Sequence, residues 1–328
     1  MSRRVRYHQV GGPEVLRIDQ VELREPGSRE VRLKVCAFGL NRTEILERSG
    51  AFGAPSLPAS IGYEAAGTIE AIGADVQEFA VGDRVAIIPA GRPADQGTYA
   101  DLIVYPADML VKIPAGTSFE AAAASWMQYL TAYALIADGD IQRGEHVLIT
   151  AASSSVGLAA IEIANLKGAI PIATTRTRSK AEGLRIHGAS EVIVTDEENL
   201  VERVREITGG RGVRVVFDAV AGNFVSPLLE SLTNLGIYII YGVQGGPAPT
   251  LPIFQLMLKN VTVRGHSMGG LRATPALWKT SVDFVQNGLA DGSLRPVIDS
   301  VFPFEEVVDA HRRLESNEQL GKIVVKVD

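Results

Sequence analysis

The second half of the chain alternates short apolar runs with longer helical stretches, and this alternation constrains the fold more than any other feature. The apolar runs are HVLIT, IPIAT, EVIVT, RVVFDAV and GIYIIYG, and they are apolar throughout rather than at every second position. Such strands are typical of a parallel sheet that helices cover on both faces. The stretches between them end in glycine, a common helix stop. The rhythm predicts an α/β fold with a Rossmann doubly wound parallel sheet.

The first 120 residues have a different character. Short β-rich pieces such as EVRLKVCAFGL, AAGTIEAIG and TYADLIVYP are separated by glycine-containing turns, which predicts a partly open β-barrel. From about Leu271 the strand–helix rhythm stops, and the chain closes with the apolar strand KIVVKV. We expect this tail to return to the first domain. The predicted domains are therefore 1–122 with 268–328, and 123–267.

Composition and charge narrow the function classes. The chain has 328 residues, enough for two separate cores, and a net charge of −6. This charge argues against nucleic acid or a membrane surface as a partner, because both require a basic field. Cys36 is the only cysteine, which excludes an intramolecular disulfide and makes a reducing cytoplasm the expected compartment. The most apolar run, Ala121–Ala137, contains polar residues and is predicted to be a buried helix rather than a membrane span.

The loop AASSSVG follows the first strand of the second half and is the first candidate for a phosphate site. Ala152, Ser154 and Gly157 stand where a G-x-G-x-x-G loop has glycines. A helix that begins at this point offers free N–H groups and the positive end of its dipole to a pyrophosphate. The serines add hydroxyl groups. The alternative is an ordinary strand-to-helix turn capped by serine.

The end of the second strand distinguishes these alternatives. An NAD site usually has a carboxylate there for the ribose 2′-OH, but this chain continues TTRTRSK, without any acidic residue. Hydroxyls and three cations, Arg176, Arg178 and Lys180, suit a 2′-phosphate. Cations are unfavourable at a helix N-terminus unless an anion binds there. The two features together predict an NADP(H) site.

Motifs in a specific order extend over nearly the whole chain. It resembles the zinc-free quinone oxidoreductase branch of the medium-chain dehydrogenase/reductase superfamily, the branch that includes ζ-crystallin. The resemblance implies a GroES-like catalytic domain, a Rossmann cofactor domain and a cleft between them. It also implies NADPH-dependent reduction of quinones or other α,β-unsaturated carbonyls by a homodimer or tetramer. The matching motifs are GGPEVL, GLNRTEILERSG, GYEAAGTIEAIG, VGDRVA, LTAY, AASSSVGLAAIEIA, FDAVAG and GKIVV.

Departures from the zinc-dependent relatives concern the metal. Those relatives have a Cys at the position of Asn41 and a His at that of Tyr63, and a catalytic zinc needs three protein ligands. The resemblance therefore implies a site without metal, where Asn41 contacts the nicotinamide ribose or the substrate carbonyl. A turn role is the alternative for Asn41. Tyr63 is a candidate donor to the substrate oxygen, with core packing as its alternative.

The predicted site combines these assignments. The predicted catalytic residues are Asn41, Tyr63 and Thr131. The predicted cofactor-binding residues are Asn41, Thr131, Ser153, Ser154, Ser155, Val156, Gly157, Thr174, Thr175, Arg176, Lys180, Thr195, Tyr241, Gly242, Val243 and Gln244. The five histidines are expected to be surface or packing residues, with His266 as a partial exception because it follows a predicted last strand.

Two rival functions stay open. An enoyl-thioester or enone reductase shares the cofactor and the fold, although related enoyl-thioester reductases use a Tyr near the position of Phe52, which has no hydroxyl. A non-catalytic NADPH-binding protein of the ζ-crystallin type is the alternative from a different class. NADPH oxidation with any electrophilic acceptor separates the second rival from an enzyme.

Overall fold

The structure, a computed structural model, describes residues 1–89, 97–246 and 251–328. The chain divides into two compact units, Met1–Met127 with Phe284–Asp328, and Gln128–Asp283. The end of the chain thus belongs to the same unit as its beginning. The domain boundaries after residues 122 and 267 remain predictions.

The described residues contain strands and helices from end to end. The strands are β1 Ser2–Tyr7, β2 Leu16–Val21, β3 Glu30–Gly39, β4 Ala59–Ser60, β5 Glu64–Ile72, β6 Arg84–Ile87, β7 Leu102–Pro106, β8 Leu110–Lys112, β9 His146–Ile149, β10 Ile170–Thr175, β11 Glu191–Val194, β12 Val213–Asp218, β13 Leu232–Ile240, β14 Thr262–Gly265, β15 Ile298–Pro303 and β16 Lys322–Lys326. The α-helices are α1 Arg42–Arg48, α2 Phe119–Ala123, α3 Trp126–Ala132, α4 Ala134–Ala137, α5 Ser155–Leu166, α6 Ala181–Ile186, α7 Leu200–Thr208, α8 Val225–Ser231, α9 Ile253–Lys259, α10 Met268–Arg272, α11 Pro275–Asp291 and α12 Val307–Ser316.

The second unit contains the parallel sheet that the strand–helix rhythm predicts. Its six strands lie in the order β11-β10-β9-β12-β13-β14, and every pairing is parallel. Strand order therefore reverses between β9 and β12, which is the position where doubly wound sheets bind ligands. The α/β fold class and the Rossmann sheet are confirmed.

The register of this sheet aligns the carboxyl ends of its strands. Ile149 of β9 pairs with Ala173 of β10 and with Phe217 of β12, Phe217 pairs with Ile239 of β13, and Ile239 pairs with Arg264 of β14. Side chains that follow these positions by one or two residues therefore lie along one edge of the sheet.

The first unit is built on antiparallel strands. A sheet in the order β15-β16-β3-β5-β6-β8, with β7 also on β3, contains one parallel pair, β15 with β16. A separate three-stranded sheet has the order β2-β1-β4. The predicted β-rich first domain is thus present, and β16 adds the end of the chain to β3.

The prediction of one buried helix over Ala121–Ala137 is wrong in its continuity. The segment is largely buried, but three short helices, α2, α3 and α4, occupy it. The break after α2 has a physical cause. The backbone N–H of Met127 donates to Oε2 of Glu64 at 3.0 Å, and the Ser125 hydroxyl donates to the carbonyl of Ala121 at 2.6 Å. A side chain from another element thus takes a donor that a continuous helix would use.

No helix among the described residues is long and apolar enough to cross a membrane.

Candidate functional site

The loop between β9 and α5 has the geometry of a phosphate cradle. Ser154 is the N-cap of α5, and its hydroxyl accepts the backbone N–H of Gly157 at 3.1 Å. A Cβ on Gly157 would come within 2.5 Å of the Cα of Ala152, so only glycine lets the helix start this close to the strand. The other N–H groups of the first turn have no acceptor within the helix. They point toward the carboxyl edge of the sheet, where an anion is favoured.

Ala151 gives this loop its turn. Its φ is +46°, in the left-handed region, which costs an L-residue roughly 1–2 kcal/mol relative to glycine. The loop therefore requires a left-handed backbone at a position where the chain has alanine instead of glycine. The neighbouring Thr150 is anchored through its hydroxyl, which donates to Asp218 at 2.5 Å and accepts the N–H of Ala219 at 2.9 Å.

Lys180 connects the basic segment to the phosphate loop. Its Nζ donates to the hydroxyl of Ser153 at 3.0 Å. Two of the predicted cofactor groups, one from each of the first two strand-to-helix connections, are thus in direct contact. Sequence separation is 27 residues, and the parallel pairing of β9 with β10 explains the contact.

The other cations of the basic segment differ from Lys180. The guanidinium of Arg178 binds the carboxylate of Glu197, with Nε to Oε2 at 3.0 Å, and this pair is exposed. Glu197 lies beyond β11, so the basic segment has a carboxylate partner that could not be inferred from the sequence of the segment itself. Arg176 is exposed. Thr174 and Thr175 are buried at the end of β10, and the Thr195 hydroxyl donates to the carbonyl of Thr175 at 3.3 Å.

The chain after β12 and β13 forms the next part of this edge. Asp218 is fully buried and accepts hydrogen bonds from the Tyr238 hydroxyl at 2.6 Å and the backbone N–H of Ala221 at 2.9 Å. The Tyr241 ring stacks on Phe217, with centroids 4.2 Å apart.

Predicted cofactor residues continue in the turn that follows Tyr241. The N–H of Gln244 donates to the carbonyl of Ala219 at 3.0 Å, and a Cβ on Gly242 would meet that same carbonyl at 2.7 Å. Val243 is half exposed. In α3, the Thr131 hydroxyl contacts the Met268 sulfur at 3.8 Å.

The first unit places Asn41 in a buried polar cluster that sequence reasoning did not find. Asn41 Nδ2 donates to Glu64 Oε1 at 3.1 Å, and Asn41 Oδ1 accepts from Lys322 Nζ at 2.6 Å. Lys322 also forms an ion pair with Glu64. The backbone N–H of Asn41 donates to Glu44 Oε2 at 2.6 Å, and the Tyr99 hydroxyl donates to the same oxygen at 2.5 Å. Both ends of the Asn41 amide therefore already have charged partners.

One cation and two carboxylates in a buried space leave one negative charge unpaired. Lys322 neutralises Glu64, which it contacts directly. Burial raises the pKa of Glu44 to about 8, against the opposing hydrogen bonds from Tyr99 and Asn41. Glu44 therefore holds a proton at neutral pH. The sequence signal for this cluster was the GKIVV motif, which contains Lys322. The motif alone does not indicate that the lysine side chain is buried.

Tyr63 is half-buried, and its hydroxyl donates to Oε1 of Glu47. The group that we predicted as a donor to substrate thus has a carboxylate partner within its own unit. His311, in contrast, is fully buried with its ring edge-on to that of Tyr99, and burial lowers its pKa to about 3. It is a packing residue, as predicted for most of the histidines.

A zinc ion does not fit these residues. Asn41 and Tyr63 have the partners described above, and the ammonium group of Lys322 lies against the carboxylate of Glu64 beside them. The positive charge of Lys322 beside Glu64 would repel a metal ion bound there. Across residues 1–89, 97–246 and 251–328, no group of three or more His, Cys, Asp or Glu side chains is placed to hold a metal ion.

Comparisons with known proteins agree with this architecture. Residues 27–115 match the alcohol dehydrogenase GroES-like domain, and residues 155–287 match the family described as zinc-binding dehydrogenase. The two models together define the class as a GroES-like domain joined to a dehydrogenase cofactor domain.

Similar individual proteins narrow this class. The quinone oxidoreductase of Pseudomonas aeruginosa is 35% identical over 99% of both chains, and the 2-haloacrylate reductase of a Burkholderia species is 31% identical over 97% of both. The crystal structure of Escherichia coli quinone oxidoreductase complexed with NADPH has a TM-score of 0.91 and 32% identity, and it covers 99% of this chain and 100% of its own. The chain belongs to the quinone oxidoreductase family of the medium-chain dehydrogenase/reductase superfamily, and it is an oxidoreductase.

Proposed function

We propose that this chain reduces quinones or other α,β-unsaturated carbonyls by hydride transfer from NADPH, without zinc. The contact of Lys180 Nζ with Ser153 in the phosphate loop is the observation that supports this proposal most directly. It brings a positive charge from the end of β10 to the N-terminus of α5. A dinucleotide that carries an extra phosphate on its adenosine ribose is the anion that suits this combination.

The residues of the second unit fit NADPH. Ser153, Ser154, Ser155, Val156 and Gly157 would hold the pyrophosphate, because the loop offers main-chain donors and a glycine that permits close approach. The 2′-phosphate would bind at the β10 end. There the proposed contacts are Thr174, Thr175, Arg176, Lys180 and Thr195.

The nicotinamide half would lie at the same sheet edge, on the side of β12 and β13 rather than on that of β10. Tyr241, Gly242, Val243 and Gln244 follow β13 there, and Thr131 stays a proposed contact. When bound, NADPH supplies the hydride. The task of the protein is to orient the ring, exclude water and stabilise the charge that develops on the acceptor oxygen.

Asn41 and Tyr63 have a narrower proposed role than the resemblance alone implies. The Asn41 amide oxygen has a second lone pair beyond the one that Lys322 occupies, so it can accept one further hydrogen bond. Tyr63 can donate to a substrate oxygen only if its hydroxyl leaves Glu47. We therefore propose that Asn41 accepts a hydrogen bond from a hydroxyl of the nicotinamide ribose, and that it is not a donor to the substrate carbonyl, because its Nδ2 already donates to Glu64 and Glu44.

An acceptor panel tests the proposed function. NADPH oxidation is measured at one pH with 1,4-benzoquinone, a simple alkenal, 2-chloroacrylate and crotonyl-CoA, with NADH as the parallel donor and a chelator-treated sample as control. We expect turnover with the quinone or the alkenal, preference for NADPH, and no loss after chelation. The 2-haloacrylate reductase relative is the reason to include the third acceptor. NADPH binding without turnover on any acceptor favours the non-catalytic alternative, and turnover on crotonyl-CoA alone favours the enoyl-thioester alternative.

We also propose that the chain is a homodimer, with a tetramer as the alternative. Strand β14 is the last strand of its sheet and is largely exposed. The adjacent helix α9 exposes Phe254, Met257 and Leu258, at 72%, 70% and 64% of their residue surfaces. An apolar group of this kind beside an open strand edge is typical of a protein interface. Sedimentation equilibrium of the wild type and of Met257→Asp tests this, and a monomeric wild type contradicts it.

A reducing cytoplasm remains the proposed compartment, because Cys36 has no intramolecular partner.

A further inference from the structure

A buried carboxylate connects the loops at the carboxyl edge of the parallel sheet. Asp218, the last residue of β12, is fully buried. Its Oδ1 accepts from the N–H of Val220 at 2.8 Å and from the Thr150 hydroxyl at 2.5 Å. Its Oδ2 accepts from the N–H of Ala221 at 2.9 Å and from the Tyr238 hydroxyl at 2.6 Å. A carboxylate has room for about four such bonds, so the protein itself fills the acceptor capacity of Asp218.

The turn that Asp218 holds has a strained backbone. Ala221 has φ +54° and ψ −134°, a conformation that residues other than glycine rarely adopt. Such conformations persist only where surrounding contacts impose them, and they cluster at functional sites. The N–H of Ala221 is bound by Asp218, and its carbonyl accepts the N–H of Phe224 at 3.1 Å. Asp218 is therefore one of the contacts that impose the conformation of this turn.

The turn after β12 in its turn holds the chain that follows β13. The carbonyl of Ala219 accepts the N–H of Gln244 at 3.0 Å, and the carbonyl of Val220 accepts the N–H of Gly245 at 2.7 Å. The two turns are packed closely, because a Cβ on Gly222 would come within 2.5 Å of the carbonyl oxygen of Gly245. The turn that contains the predicted cofactor residues Tyr241–Gln244 thus rests on the turn that Asp218 binds.

Peptide geometry connects the two sets of hydrogen bonds. In a trans peptide the C=O and the N–H of one unit point in opposite directions. The N–H of Val220 and the carbonyl of Ala219 belong to one peptide unit, and the N–H of Ala221 and the carbonyl of Val220 belong to the next. When Asp218 binds the two N–H groups, it therefore directs the two carbonyls toward the turn after β13.

The phosphate loop depends less on Asp218. The Thr150 hydroxyl connects Asp218 to the end of β9, but the start of α5 has supports of its own. Ser154 caps the helix by accepting the N–H of Gly157, and Gly157 permits the close contact with Ala152. A change at Asp218 should therefore disturb the chain after β13 more than the loop that is proposed to bind the pyrophosphate.

We propose that Asp218 is a positioning residue for the cofactor: it orients two peptide units of the turn after β12, and through them it holds Tyr241–Gln244 in the conformation that binds NADPH. This inference rests on the proposed function. A segment that is held in its binding conformation before the cofactor arrives loses less conformational freedom on binding, and this raises affinity.

Two substitutions separate positioning from stability. In Asp218→Asn one carboxylate oxygen becomes an NH₂ group, so one of the two backbone N–H groups loses its acceptor. Tyr238→Phe is the matched control, because it removes a buried hydroxyl from the same carboxylate and leaves both backbone contacts in place. Urea denaturation should show that both variants are less stable than wild type. We expect NADPH to bind about 3–10-fold more weakly to Asp218→Asn and within about twofold of wild type to Tyr238→Phe.

The ligand control is 2′,5′-ADP, which contains the adenosine half with both phosphates and lacks the nicotinamide. Titration calorimetry with the full-length chain measures both dissociation constants, and we expect 2′,5′-ADP to bind wild type and Asp218→Asn equally. An unchanged NADPH constant in Asp218→Asn overturns the inference. So does an equal loss for both ligands, or the same NADPH loss in Tyr238→Phe, because either would show that Asp218 only stabilises the fold. Wild type that binds neither ligand refutes the proposed function instead.

Amide hydrogen exchange of the ligand-free wild type tests the inference even if Asp218→Asn does not fold. The N–H groups of Gln244 and Gly245 have acceptors in the turn after β12, so they should exchange at least about 100-fold more slowly than in an unstructured peptide. Val243 is the internal control, because its N–H has no acceptor among the described residues and should exchange fast. Exchange of Gln244 and Gly245 as fast as that of Val243 overturns the inference, since the turn would not be held before the cofactor binds.

Discussion

The buried cluster around Asn41 and the loop around Ser154 use polar groups in opposite ways. In the first unit, the side chains of Asn41, Glu64 and Lys322 satisfy one another's hydrogen-bonding groups and charges. In the second unit, the anion site that we propose at the loop from 151 to 157 consists of main-chain donors and one lysine. Cofactor recognition should therefore depend on the second unit, whereas substitutions in the polar cluster of the first unit should mainly lower the stability of the fold.

Removal of Lys322 should have the largest effect. Lys322→Met leaves the carboxylate of Glu64 buried without its cation, which typically costs about 3–5 kcal/mol of unfolding free energy. Urea denaturation measures this loss. Lys326→Met is the matched control, because Lys326 lies on the same strand with a half-exposed side chain, and it should change stability by less than about 0.5 kcal/mol. A loss below about 1 kcal/mol in Lys322→Met would show that the cluster is not the stabilising feature described here.

The protonation of Glu44 gives the second largest effect. Its pKa is raised to about 8 in the folded chain and is about 4.3 when unfolded. The folded state therefore binds the proton more tightly, and the resulting stabilisation is complete below about pH 4 and is lost as pH rises toward 8. Between pH 5 and 8 the unfolding free energy of wild type should fall by about 3 kcal/mol relative to Glu44→Gln.

The control for Glu44 is Glu22→Gln, an exposed glutamate in the same unit. Its unfolding free energy should follow the wild-type pH curve in parallel. Parallel curves for wild type and Glu44→Gln would mean that Glu44 is ionised throughout, and the comparison of the two clusters would lose its electrostatic basis.

Lys180 should produce the next effect, in affinity rather than in stability. Lys180→Met removes a charge-assisted contact worth about 1.5 kcal/mol or more in an unshielded site, so NADPH should bind roughly 10-fold more weakly while NADH binding stays unchanged. Arg178→Met is the control. Arg178 is exposed and paired with Glu197, so its loss should change NADPH affinity by less than about 3-fold. Equal losses for NADPH and NADH in Lys180→Met would place the lysine at the pyrophosphate rather than at the 2′-phosphate.

Periodicity predicted the fold of the second unit well, because β9, β10, β11 and β12 are buried along most of their length and a helix connects each strand to the next. The broken helix over Ala121–Ala137 was not predictable in this way. Its break depends on Glu64 accepting the N–H of Met127, and a contact between residues 63 positions apart leaves no local signal.

The site was predictable only where sequence neighbours act together. Ser154 and Gly157 belong to one loop, so their positions at the start of α5 followed from spacing. The partners of Arg178 and Asn41 lie on other elements, and no letter of TTRTRSK or GLNRTE points to Glu197 or Lys322. The position of His266 after the last strand was visible in the sequence. Its pairing with Asp138, 128 residues away, was not.

The smallest expected effect concerns the conformation of Ala151 at φ +46°. Ala151→Gly removes a left-handed strain of roughly 1–2 kcal/mol but adds about 0.4–1 kcal/mol of unfolded-state entropy, so the unfolding free energy should rise by about 0.5 kcal/mol. Ala152→Gly, at a buried position with no such φ, should instead lower it by about 1 kcal/mol. Urea denaturation of the two variants side by side gives opposite signs if the turn is strained at Ala151 alone. Equal losses would mean that the backbone of the loop is not strained at Ala151.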